Sequence, residues 1–289
     1  MPYRCLSAAQ RGARAMIKDI VVNLSVGKSH DVAGEFALST AALFSAHLAA
    51  VAFAHEPPIR SVSNCVSRGI ISTYCAEQKE NAERAEQAFK DQARLAGIPY
   101  DTRILTNTVA DAAIIFGEIA RNYDLSVVAQ AQPEDDLAES LTIEAALFDS
   151  GRPVLVVPYI QASGLRLDRV MICWDGSRNA ARAIGDALPL LQRAGRIDVI
   201  TIDATERPNE LRGAQIAEHL ARHKLNVELM PIVAPDSDVA NVILSHAADS
   251  STDLIVMGGY GHSRLREFVL GGATTGILGT MTVPVLMSH

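Results

Sequence analysis

Along this chain, short runs of apolar residues alternate with longer segments whose apolar positions recur at helical spacing. In the second half the runs predict strands at about 168–174, 196–203, 225–232, 253–258 and 283–287. The segments between them predict helices at 178–193, 207–223, 236–248 and roughly 270–281. Runs such as Leu254-Ile255-Val256-Met257 are apolar at successive positions, so both faces of the strand are covered. Strands of that kind separated by helices predict βαβ units, and hence an α/β, doubly wound parallel sheet. Its ligand crevice lies beyond the C-terminal ends of the strands.

The pattern occurs twice. Tyr123-Asp124-Leu125-Ser126-Val127-Val128-Ala129 returns as Thr252-Asp253-Leu254-Ile255-Val256-Met257-Gly258, and Arg152-Pro153-Val154-Leu155-Val156 returns as Val283-Pro284-Val285-Leu286-Met287. Asp19-Ile20-Val21-Val22-Asn23-Leu24-Ser25 sits over Arg169-Val170-Met171-Ile172-Cys173-Trp174-Asp175. Two tandem five-stranded Rossmann-like domains are therefore expected, at 16–158 and 168–289, joined by a linker of small and polar residues at 159–167. The first is longer mainly through a Pro- and Ser-containing insertion at 55–78, which reads either as a loop over a site or as a surface excursion. Residues 1–15 hold Arg4, Arg11 and Arg14 without an acid or a continuous apolar core, and read as a disordered leader or a misassigned start. Phe36 to Ala54 lacks Asp, Glu, Lys and Arg, but its Ser, Thr and His interruptions divide it into a helix ending near Ala46 and a strand from Leu48 to Ala54, rather than a membrane span.

Charge narrows the function classes. With 33 acidic against 26 basic residues among 289, and a pI near 5.6, the chain lacks the broad positive field of a nucleic-acid binder. Cys5, Cys65, Cys75 and Cys173 form no CxxC pair, so neither a disulfide framework nor a zinc site is indicated, and reduced thiols in a cytoplasm are expected. Cys173, inside an apolar run, reads as a buried structural thiol.

The chemistry concentrates after the fourth strand of the second half. Gly258-Gly259-Tyr260-Gly261 is followed, nine residues on, by Gly271-Gly272-Ala273-Thr274-Thr275. Glycines there allow close backbone approach, and a helix opening at Gly271 to Thr275 would offer free N–H groups and its positive dipole end to a phosphate, with hydroxyls from Thr274 or Thr275. His262, Arg264 and Arg266 add positive charge. Conformational use of glycine in turns is the competing reading.

At these residues the sequence resembles the universal stress protein family, whose ATP-binding members carry Gly-x2-Gly-x9-Gly-Ser/Thr after the fourth strand. The resemblance runs over about 17–289, in two copies. It implies that Gly258, Gly261 and Gly271 are the phosphate-loop glycines, and that Asp175, in Trp174-Asp175-Gly176-Ser177, is the strand-end aspartate near the adenosine. Ile202 falls where an apolar residue would contact adenine, and Met257 and Gly272 border the loop. Gly272 replaces the family's Ser/Thr and removes a hydroxyl, which Thr274 or Thr275 would have to supply. ATP, with magnesium, is the implied ligand. The resemblance also implies an internal pseudo-dimer paired through Val154–Val157 and Val283–Met287, with a homodimer of chains possible.

The first half departs further. Ala129-Gln130-Ala131-Gln132-Pro133-Glu134-Asp135-Asp136 stands in place of the glycine loop, its three carboxylates repelling a triphosphate, and Ser25 replaces the aspartate. Its site reads as degenerate. Of the remaining candidates, His219 and His223 sit four apart on a helix without an evident third metal ligand, Asp135-Asp136 reads as a solvated loop, and Asp175 has an alternative role as a helix cap. No Walker lysine loop, nucleophile elbow or Cys–His signature is present. The expected function is nucleotide binding in a stress response, with a nucleotide-free interaction module or slow ATP hydrolysis as alternatives.

Overall fold

The computed structural model describes residues 16–57, 68–132, 137–203, 210–234, 238–259 and 272–289. The first half runs β1 (Asp19–Asn23), α1 (Val32–Phe44), β2 (His47–His55), α2 (Arg68–Ala96), β3 (Tyr100–Asn107), α3 (Val109–Ala120), β4 (Leu125–Ala129), α4 (Leu137–Phe148) and β5 (Val154–Val157). The second runs β6 (Arg169–Cys173), α5 (Arg178–Leu191), β7 (Arg196–Asp203), α6 (Glu210–Arg222), β8 (Val227–Val233), α7 (Val239–Asp249), β9 (Leu254–Gly258), α8 (Gly272–Thr280) and β10 (Val285–Ser288).

All ten strands share one sheet in the order β3-β2-β1-β4-β5-β10-β9-β6-β7-β8. The order within each half is the same, read outward from the middle. Every neighbouring pair is parallel except β5 and β10, which run antiparallel with Val285 opposite Val156 and Met287 opposite Val154. Because only this central pair is antiparallel, the strands of the two halves end at opposite edges of the sheet.

Strand composition follows from double coverage. On one face α1, α2, α5 and α6 contribute Phe36, Phe89, Ile184 and Leu220 to a core with Ile20, Val22, Val170 and Ile172. On the other, α3, α4, α7 and α8 contribute Phe116, Leu147, Ile243 and Ile277 to a core with Val21, Met171, Ile255 and Met257. Alternate residues of one strand thus enter different cores, and only continuous apolar runs satisfy both. The outermost strands β3 and β8 are half exposed along their length, and β8 carries Pro231, whose missing N–H is tolerated at an edge.

The charge-free stretch divides as its polar interruptions suggest. α1 stops at Phe44, Ser45 turns in the left-handed region at φ 51° with its N–H on the carbonyls of Ala41 and Ala42, and β2 begins two residues later. Among the described residues no helix is long and apolar enough to cross a membrane. The insertion at 55–78 is a different matter. Residues 58–67 lie outside the described residues, but from Arg68 onward the segment is helical, the first turns of a 29-residue α2, where its counterpart α6 has 13. The first half is therefore longer largely through a longer helix, with Tyr74 on it. The leader at 1–15 also lies outside the described residues.

Candidate functional site

β6 is the strand at which the order of the second half reverses, with β7 on one side and β9 on the other. A crevice opens at the C-terminal end of such a switch point. Trp174 N–H donates to the Ile200 carbonyl at 2.9 Å and prolongs the β6–β7 pairing past Cys173. Asp175 follows directly, Ile202 lies two residues beyond Ile200 on β7, and Gly258 closes β9. Sheet register thus brings Asp175, Ile202, Met257 and Gly258 to one edge.

The β6–α5 turn is held by two side-chain oxygens. Asp175 Oδ1 accepts from the Ser177 N–H at 2.8 Å across Gly176, whose φ of +78° is available to glycine at no steric cost. Ser177 is the N-cap of α5, its Oγ accepting from the Ala180 N–H at 3.1 Å. The capping role considered for Asp175 therefore belongs to Ser177, two residues on, and the exposed Asp175 braces the turn before it.

Gly258 is dictated by packing. A Cβ there would lie 2.5 Å from Ala180 N and 2.6 Å from Asn179 C, both backbone atoms of α5. Asn179, buried in the first turn of α5, donates from Nδ2 to the Gly259 carbonyl at 2.6 Å, and Gly259 N–H donates to the Ser288 carbonyl at 2.8 Å. This clamp ties the end of β9 to the start of α5. No local signal in the sequence marks Asn179, because its partner is 80 residues away.

Ile202 is half-buried and Met257 buried, both in the core shared with α7 and α8. α8 starts at Gly272, which is exposed with open space around a hypothetical Cβ. Of the two candidate hydroxyls, Thr274 is buried and Thr275 is exposed, so Thr275 is the one offered to solvent. Gly261, Gly271, His262, Arg264 and Arg266 lie outside the described residues. Trp174, by contrast, faces the α5–α6 core, so the strand alternation sends it to the opposite face of the sheet from Ile202 and Met257.

Burial, with the nearby Asp175 carboxylate adding to it, pushes the Cys173 thiol up to about 12, which keeps it protonated and unreactive. Among the described residues no three His, Cys, Asp or Glu side chains come together to hold a metal. The His219 and His223 rings stack edge to face with centroids 4.9 Å apart, with no third ligand beside them among the described residues. In the first half, Ser25 takes the place of Asp175. Asp31 serves α1 instead, its Oδ1 accepting from the N–H groups of Gly34 at 3.0 Å and Ser25 at 3.2 Å. Burial raises the pKa of its carboxyl, and those two bonds oppose the rise. Glu134, Asp135 and Asp136 lie outside the described residues.

Comparison with known proteins accords with this architecture. The universal stress protein family model matches residues 166–289. A universal stress protein of Synechocystis sp. is 29% identical over 140 residues, 47% of this chain and 46% of the relative, so the match spans about half the length of each. Over 94% of the chain, the fold is similar to that of a universal stress protein from Archaeoglobus fulgidus, at a TM-score of 0.72, 16% identity and 96% of that chain. A putative universal stress protein from Pseudomonas aeruginosa is likewise similar over 94% of this chain and 93% of its own, at a TM-score of 0.61 and 17% identity. Residues 166–289 thus match the universal stress protein family, and the fold over 94% of the chain is similar to that of universal stress proteins.

Proposed function

We propose that the second half binds ATP or a related nucleotide, and that binding rather than turnover is the functional event. The observation that carries this reading is the gathering of Asp175, Ile202, Met257 and Gly258 at one strand edge, on a switch point, with α8 opening on the same face as Ile202 and Met257. The residues fit the ligand. Ile202 offers apolar surface to a base, and Asp175 carries a carboxylate suited to ribose hydroxyls. Among the described residues nothing lies within 4 Å of a Cβ placed on Gly272 at the α8 terminus, and backbone N–H groups and the Thr275 hydroxyl are suited to phosphate. Magnesium, when bound with the nucleotide, would neutralise phosphate charge. The pairing of β5 with β10 supports reading the two halves as an internal pair, in which the first half contributes packing rather than a second nucleotide site.

Calorimetric titration with ATP and magnesium tests the proposal. One site per chain is expected, and Gly261→Glu, which puts a carboxylate into the glycine loop, should abolish it. Absence of binding to the unmodified protein would overturn the reading in favour of a nucleotide-free interaction module, which Gly272 and the acidic Glu134, Asp135 and Asp136 of the first half favour. Phosphate release that falls in Asp175→Ala and Gly261→Glu would instead assign slow hydrolysis.

A further inference from the structure

The antiparallel pairing of β5 with β10 sets the last helix-to-strand corner of each half against the strand ends of the other. β5 begins at the edge where β9 and β10 end, so the α4–β5 corner of the first half arrives beside the start of the glycine motif. A Cβ on Gly259 would lie 2.7 Å from Cδ2 of Leu147, a side chain of α4 that is itself buried. Phe148 meets the His289 ring edge to face, with centroids 4.9 Å apart. Arg182 Nη2 of α5 donates to the Gly151 carbonyl at 2.7 Å.

The helix beyond the motif is held from the first half as well. α8 spans nine residues, three of them glycine, and a helix so short and so rich in glycine does not keep its place unaided. Leu278 lies in its last turn, where carbonyls have no partner within the helix. Gln130 Nε2 supplies a partner, donating to the Leu278 carbonyl at 2.8 Å, while Gln130 Oε1 accepts from the Tyr159 N–H at 3.3 Å. Gln130 is 1% exposed, so its amide is fixed by these bonds rather than by water. In the repeat it falls opposite Gly259. The same position thus admits Leu147 of the first half at one strand edge and reaches for α8 of the second half at the other.

We infer that the first half positions the nucleotide loop of the second. Leu147 seats the Gly259 end, and Gln130 is a positioning residue that fixes α8 along its axis, and with it the N–H groups at the Gly272 end. The inference rests on the nucleotide reading for what the loop holds, and on these contacts for what holds the loop. It gives Gln130, within the segment that replaces the glycine motif of the first half, a role in the other half.

Gln130→Met keeps the length of the side chain and removes the donor. In hydrogen exchange read by mass spectrometry, the amides of α8 should exchange faster than in the parent protein. By calorimetry ATP should bind about fivefold more weakly, the scale of one hydrogen bond. Adenosine, which by the same reading rests on Asp175 and Ile202, should bind as before; a general loss of stability would not separate the two ligands. Gly259→Ala tests the other end and does not depend on Gln130→Met folding. Its methyl group presses on Leu147, so ATP should weaken and adenosine should not, and Leu147→Ala in the same chain should restore ATP affinity. The inference is overturned if Gln130→Met leaves exchange over α8 as in the parent, if ATP and adenosine weaken together, or if Leu147→Ala restores nothing. If the parent binds no ATP, the nucleotide reading fails by itself, and exchange over α8 alone decides whether Gln130 holds the helix.

Discussion

Gly258 shows how one missing side chain fixes a crevice. The strand end meets the first turn of α5 through backbone atoms, which have little freedom to retreat, so Gly258→Ala should cost about 1–3 kcal/mol by urea denaturation. At Cys173 the effect is on pH dependence. Its folded thiol titrates at about 12 rather than the ordinary 9.0, so the native state holds the proton more firmly than the unfolded chain. The resulting stability is complete below pH 9 and is lost as pH rises toward about 12. Cys173→Ala should show a shallower alkaline decline in equilibrium unfolding than the parent protein. The places of Asp175, Ile202 and Gly258 at or just past strand ends were legible because the apolar runs mark where the strands stop. The role of Asn179 was not, because it depends on what the fold brings alongside.

Elements differed in legibility for a related reason. The strands of the second half stood out because burial on both faces demands uninterrupted apolar residues, and their observed ends fall within a few residues of the expected ones. The front of α2 did not. Its buried residues Ala82, Phe89 and Ala93 lie in the later turns, while the turns from Gly69 to Glu80 are mostly exposed, so no apolar stripe announces a helix there. Helix starts carry finer signals that composition alone blurs: Asp175 and Ser177 are both capping types, and backbone geometry decided between them. Ser177→Ala should lower stability by about 1 kcal/mol, the usual value of an N-cap hydroxyl, in thermal or chemical unfolding.

For the molecule as a whole, the decisive contact is the antiparallel pairing of β5 and β10. The internal repeat marks the two halves and their final strands; the register, with Leu286 opposite Leu155, is set by the fold and not by any local pattern. Both leucines are fully buried. Leu286→Ala should therefore cost about 2–5 kcal/mol, and because the sheet and its cores are continuous across the seam, the loss should appear as one shifted transition rather than as early melting of the second half.

The same seam lies within one polypeptide, and that removes mass action from its formation. Strands contributed by separate molecules would part on dilution, whereas these two are held at a fixed effective concentration by the covalent chain. The unfolding midpoint should accordingly be the same at nanomolar and at micromolar protein. A cell holding only a few copies of this chain would have its sheet as fully assembled as one holding many.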